Sequence, residues 1–331
     1  MEQAQILCKY SLNNRKYFTE KQANEIKNHP QTMHLFAYKE PMEAFNISCL
    51  KKINNTNNPV AKISPVYYKV SNPDTTTSRA HFNDKSDQIN PTYIARGCKV
   101  ELRGKNLCPQ YGLYNGAMGT VIDIVYSKNQ SPSTHVLPKY VLVHFPHYTG
   151  PQFLQSMNNV LPITPITSHC RKWCCQRKYI PLQLCYAKTI HTFQGQSAGP
   201  VAPNQQPNAV QRIVINIGSR KFEGQNPGLT YTALSRATSL GNPNDVTTSS
   251  LFFEGIDITP ERFINIATSN ISHKLYKSVH LRNIWVQKLK KNRRANTFTK
   301  EQICDIFLWA QTYQPTTFQI ETFFSIFYPN N

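Results

Sequence analysis

Acidic residues are scarce in this chain: 18 Asp and Glu stand against 37 Lys and Arg over 331 residues, and no two acidic residues are adjacent. An Asp-Glu pair able to hold magnesium and orient water is therefore missing. A G-x-x-x-x-G-K-[ST] phosphate loop is missing as well, since the one Gly-Lys step, Gly104-Lys105, precedes Asn106 and has no glycine five residues earlier. These two absences exclude a nucleotide cradle of that kind within the sequence. No apolar run approaches the ~18 residues that argue for a membrane-spanning helix, so no membrane partner is expected. The opening MEQAQILCKY does not read as a signal peptide. Nine cysteines, an odd number at irregular spacing, build no disulfide framework and point to reduced thiols in an intracellular protein.

What is present in excess is positive charge. A formal charge of +19 and a pI near 9.6 exceed what solubility needs, and phosphate backbones are the commonest reason for such an imbalance. A ribosomal or chromatin protein shares that balance, but an aromatic content of 11% and ordered motifs argue for a folded domain. The aromatics also offer faces on which unpaired bases stack. The length allows about two domains, on a prior of ~150 residues each, and a sizeable core.

Two segments carry chemistry. GLTYTALSRATS (228–239) places Arg236 after a short apolar run, and IPLQLCYAKTIHTFQGQS (180–197) reads as a strand ending in a turn. Taken alone, a Ser-Arg pair is more often a helix-surface ion pair. A planar, permanently charged guanidinium is also the side chain best matched to the equatorial oxygens of a transferring phosphoryl group. Together the segments resemble the last two signature motifs of Pif-type superfamily-one DNA helicases, relatives of RecD-like and Helitron-carried enzymes. HLFAYKEPMEAFNISCLKKI (34–53), GCKVELRGKN (97–106) and GLYNGAMGTVIDIV (112–125) look like the strand, helix and Asn-Gly turn that precede them, so the resemblance spans roughly 17–255.

The resemblance implies a RecA-like second motor domain. In it Arg236 is the arginine finger, Gln194 and Gly195 face the nucleotide, and Thr189 and His191 contact single-stranded DNA. Asn46 either helps grip the strand or is a solvent-facing amide. Lys188 departs from the family's usual apolar residue, and Asn216 stands where an acidic residue is common. ATP and magnesium are expected only in a complete motor, with none on this chain alone, and a separate phosphate-loop domain is the implied partner. The resulting expectation is a motor half without its other half. A non-catalytic nucleic-acid-binding protein and a transposon or viral remnant remain the alternatives.

The expected fold class is α/β, a RecA-like parallel sheet with an inserted small β-barrel and a C-terminal helical extension. Residues 1–30 are a helical linker, 31–111 and 179–259 the parallel-sheet unit, 112–178 the barrel and 260–331 the basic extension. FTEKQANEIKN (18–28) reads as a helix capped by Thr19, TMHLFAY (32–38) as a strand, and PMEAFNISCLKKI (41–53) as a helix. Residues 54–58, 71–91 and 198–209 read as loops. CKVEL (98–102), GTVIDIVY (119–126) and KYVLVHF (139–145) are β-branched and aromatic strands without intervening helices, which suggests a barrel. RIVINIG (212–218) and LFFEGI (251–256) read as further strands. PERFINIATS, LRNIWVQKLKK and TKEQICDIFLWAQ (299–311) have helical periodicity. KLKKNRR (288–294) is a solvated face, a phosphate contact or a nuclear localisation signal, which would put a eukaryotic protein in the nucleus. His169, Cys170, Cys174 and Cys175 resemble metal ligands, but with only Cys185 near enough to complete a second pair they are expected to be free thiols, as are Cys98 and Cys108, and no metal site is expected.

Overall fold

The computed structural model describes residues 2–70, 72–76, 91–130, 136–170, 173–200, 210–226, 229–242, 244–255 and 258–266. The expected helices beyond 266, the run at 288–294 and most of the loops at 71–91 and 198–209 lie outside the described residues. The fold is mixed α/β. Its centre is a four-stranded parallel sheet in the order Ala187–Thr189, Thr32–Phe36, Arg212–Asn216, Leu251–Glu254.

Local sequence explains how the sheet starts. Thr19 caps the helix Glu20–Asn28 in a reciprocal box: Gln22 N donates to Thr19 Oγ1 at 3.2 Å and Thr19 N to Gln22 Oε1 at 2.9 Å. Ala23 and Ile26 turn its apolar side inward, and His29-Pro30 ends it. Every residue of the Thr32–Phe36 strand is buried, as an inner parallel strand requires. The helix Lys39–Ile53 follows, two residues longer at its start than the sequence suggests.

The N-terminal segment is no linker. Leu12 N donates to Phe253 O at 2.9 Å and Phe253 N to Tyr10 O at 3.0 Å, extending the sheet past Leu251–Glu254. Tyr10, Leu12 and Phe18 then enter the same core as Leu35, Ile213, Ile215, Phe252 and Phe253.

A second core lies under antiparallel strands. Five of these run in the order Leu182–Leu184, Lys99–Leu102, Met118–Val125, Tyr140–His144, Val160–Ile163, over Val100, Leu102, Val121, Val141, Val143 and Ile163. A further sheet has the order Ile166–His169, Cys175–Tyr179, Val66–Lys69, Asn72–Thr76, and Ala61–Ile63 pairs with Thr92–Ile94. The antiparallel part thus begins near residue 61, not at 112, and the Lys99–Leu102 strand belongs to it rather than to the parallel sheet. Backbone at 72–76, expected as loop, is a strand. No pairing among the described residues joins the edges of the five-stranded sheet into a closed barrel.

The segment 180–197, expected as one strand ending in a turn, holds two strands before its turn. Leu182–Leu184 pairs antiparallel with Lys99–Leu102, and Ala187–Thr189 pairs parallel with Thr32–Phe36, so Cys185 and Tyr186 carry the chain from one core to the other. Periodicity sees only continuous apolar β-propensity there and is blind to a change of partner. No helix among the described residues is long and apolar enough to cross a membrane.

Candidate nucleic-acid interface

The four parallel strands stop in one row. Phe36 pairs with Thr189 on one side and with Asn216 on the other, and Asn216 pairs with Glu254. This row is the carboxyl edge of an open α/β sheet, where such folds present ligands. Tyr38, which the sequence reading did not single out, lies just beyond Phe36. It is 44% exposed, and its hydroxyl is 3.2 Å from the hydroxyl of Ser219, the cap of the helix Arg220–Gln225. An exposed tyrosine on an α/β sheet edge was the available signal.

Thr189 ends its strand and caps the single 3-10 turn Ile190–Phe193, accepting from Thr192 N at 3.4 Å. Ile190 and Phe193 bury inward, which leaves His191 and Thr192 exposed on the outer side. Gln194 is also exposed. Gly195 follows at φ +84°, with open space where a side chain would stand. A cavity of about 440 Å³ adjoins this turn, and Tyr114, Met118, Phe145, His147, Gly195 and Gln196 help to line it. It lies where the Gly195 turn faces the antiparallel unit.

Arg236 sits in the turn just past the helix Leu229–Leu234, two residues beyond its end. Its Nε donates to Thr232 O at 3.3 Å and one terminal nitrogen to Ser235 Oγ at 3.1 Å. Among the described residues no carboxylate pairs with it. Ala198 and Ala237 form a parallel bridge. Ala198 N donates to Arg236 O at 2.8 Å, and Thr238 N donates to Ala198 O at 2.9 Å. The two signature segments are thereby stitched together, with Gly195 three residues before the bridge and Arg236 one residue before it.

Asn46 is neither solvent-facing nor open to a strand of nucleic acid. It is 5% exposed, and its Oδ1 accepts from Tyr186 N at 2.9 Å and Ala187 N at 2.8 Å while Nδ2 donates to Ala187 O at 3.0 Å. A helix side chain thus clamps the entry to the Ala187–Thr189 strand. Buried backbone groups need partners, and a side-chain amide offers donor and acceptor together.

Lys188 is buried with Glu101. Its ammonium is 2.5 Å from Glu101 Oε2 and donates to Gln196 Oε1 at 3.2 Å. Gln183 and the Cys185 thiol also donate to Glu101, the latter at 3.6 Å. Burial alone would lower the Lys188 pKa, but the Glu101 carboxylate against the ammonium outweighs it and holds it above the ordinary lysine value. Burial, then Glu101, pushes Cys185 upward, so it remains a thiol and a donor. Glu101 escaped the sequence reading because one charge alternating with Val100 and Leu102 looks like the wet face of a strand.

Among solved structures the chain is similar to a Pif1 helicase from Candida albicans, at 19% identity and a TM-score of 0.48, over 78% of this chain and 50% of that one. It is similar at 15% identity and a TM-score of 0.46 to the Bacteroides Pif1 helicase in complex with ADP-AlF3 and ssDNA, over 82% of this chain and 50% of that one. Unliganded Pif1 from Bacteroides sp matches at 16% identity and a TM-score of 0.45, over 81% and 49%. The chain spans about half the length of these structures. No protein-family model and no curated protein matches it.

Proposed function

We propose that this chain works as the second motor domain of an ATP-driven, Pif-type DNA helicase, with Arg236 as the finger toward the γ-phosphate and Thr189 and His191 on the single strand. The observation that carries this reading is the Ala198–Ala237 bridge, which joins the two signature segments beside the carboxyl edge of the parallel sheet. Residues for phosphate and residues for the strand thus share one rigid junction, as a motor that couples the two needs.

The residues present fit one wall of a nucleotide site: a planar cation at Arg236 and an unobstructed glycine turn at Gly195. Bound ATP, with magnesium, supplies the cleavable phosphoanhydride. Arg236 meets the charge that spreads over the phosphoryl oxygens, and its bonds to Thr232 O and Ser235 Oγ hold the fork ready. The Thr189–Thr192 turn, with His191 and Thr192 exposed, offers hydroxyl and imidazole groups to backbone phosphates, while the +19 charge draws the strand in. The missing phosphate loop in these 331 residues favours one further reading, a basic clamp that binds nucleic acid without hydrolysis.

The test supplies the chain with a Pif-type first motor domain carrying a phosphate loop. Arg236→Ala is expected to cut ATP hydrolysis by about a thousandfold or more, with single-strand affinity unchanged, and Arg236→Lys to rescue little. His191→Ala is expected to do the reverse, weakening strand binding by about 1–2 kcal/mol while basal hydrolysis persists. Unchanged hydrolysis in Arg236→Ala would leave only the clamp. Turnover by the chain alone that vanishes in Arg236→Ala would overturn the one-wall reading.

A further inference from the structure

The hairpin joining the Ile166–His169 and Cys175–Tyr179 strands collects three sulfurs at its tip. Cys170, Cys174 and Cys175 have Sγ atoms within 4.8 Å of one another, with Cys170 to Cys174 at 3.6 Å and Cys174 to Cys175 at 3.7 Å. Four thiolates around zinc at Zn–S of about 2.3 Å have tetrahedral edges of about 3.8 Å. A disulfide needs about 2.05 Å, so the spacing is that of an ion's ligands and not of a bond.

Two further observations bear on the tip. Its apolar support is thin, because among the described residues the local core is Cys170 and Cys175 with Tyr67 packed against them. The turn is also strained. Trp173 takes φ +57°, a region costly to a bulky residue, while Cys170 N donates to Cys175 O at 2.9 Å and Trp173 N to Cys170 O at 3.0 Å. The indole is 68% exposed and stacks on His169, with ring centroids 4.6 Å apart.

We propose that Cys170, Cys174 and Cys175 form a three-thiolate site for a soft d10 cation, zinc(II), which staples this hairpin and fixes Trp173 outward. Thiolate donors select such ions over hard cations. Binding releases the three thiol protons to solvent and leaves a zinc-trithiolate of net charge −1. Lys69 stands across the ladder from Cys175, which puts a cation-bearing residue opposite one of the three ligands. Cys170 and Cys175 close the buried side, and water completes the shell on the exposed side at Cys174. The C-x3-C-C spacing hides the site from a search for two separated pairs. It is the hairpin that closes it.

The full chain, purified with reductant and zinc, is expected to retain about one zinc per chain by elemental analysis. Cobalt(II) in its place should give thiolate charge-transfer bands and the intense visible bands of tetrahedral cobalt. The triple variant Cys170→Ser/Cys174→Ser/Cys175→Ser should lose both signals and Cys108→Ser should keep them. Since the triple variant could fail to fold, Cys174→Ser, altered only at the exposed sulfur, is melted alongside, and zinc should raise the melting temperature of the parent but not of this variant. Reduced parent chain without zinc or cobalt-thiolate bands, or peptide maps showing Cys170 bonded to Cys174, would overturn the site.

Discussion

Lys188 Nζ stands 2.5 Å from Glu101 Oε2 with side chains only 4% and 7% exposed, and this pair bolts the edge strand of the parallel sheet to the antiparallel sheet. The same ammonium donates to Gln196 of the turn that holds Gly195. A charge pair so deeply placed is weak evidence for stability, since desolvating two ions costs about what their attraction returns. Its effect is on geometry: it fixes the turn to both sheets.

Removing one partner should therefore hurt more than removing both. Glu101→Gln is expected to cost about 3 kcal/mol, because it strands a buried ammonium, and Lys188→Met a similar amount. The double variant Glu101→Gln/Lys188→Met should fall well short of the sum in urea unfolding, a coupling that only contacting residues show. Additive losses would mean that the two charges do not interact.

The parallel sheet was largely legible because its strands and helices obey local rules. Thr19 with Gln22 wrote a capping box, and Thr32–Phe36 and Arg212–Asn216 are short runs with large apolar residues, Met33, Leu35, Phe36 and Ile213–Ile215, of the length a buried parallel strand needs. Which sheet a strand joins was not legible. Leu182–Leu184 runs on in sequence toward Ala187–Thr189, yet it pairs with Lys99–Leu102, and no local signal reports a partner 80 residues away. Motif spacing singled out Thr189, His191 and Arg236, and what the structure adds is that their two segments meet at the Ala198–Ala237 bridge. Asn46 misled for a physical reason: an amide in an amphipathic helix reads as wet until the backbone it clamps, at Tyr186 and Ala187, is seen.

His34 makes a pH dependence. Its imidazole is 3% exposed beside Phe45, and its Nε2 lies 2.9 Å from Lys27 O. Burial lowers its pKa, with Lys99 and Lys27 adding to the effect against the Lys27 carbonyl and Glu254. The folded state therefore stays neutral where the unfolded chain, near an ordinary histidine value of about 6.5, takes up a proton. Stability is full above that value and declines as pH falls below it toward the folded pKa. His29 and His147, also lowered chiefly by burial, add the same sign. Urea midpoints at about pH 7.5 and 5.5 should show the drop. His34→Gln, which keeps a donor for Lys27 O and cannot titrate, should flatten it. An unchanged slope in that variant would remove His34 from the account.

Asn46 separates a contact from a support. Asn46→Ala would leave Tyr186 N, Ala187 N and Ala187 O without their partner in the interior, each worth about 1 kcal/mol or more when left unsatisfied. A loss of about 3 kcal/mol of stability is therefore expected. Because Ala187 begins the strand that ends at Thr189, single-strand affinity should fall with it. If the amide supports the strand rather than touching nucleic acid, stabilising the folded state with an osmolyte should restore affinity in parallel with the melting temperature. If it touches nucleic acid, melting recovers under the osmolyte while affinity stays low. The buried placement of Asn46 requires the first outcome, and the second would return it to the binding surface.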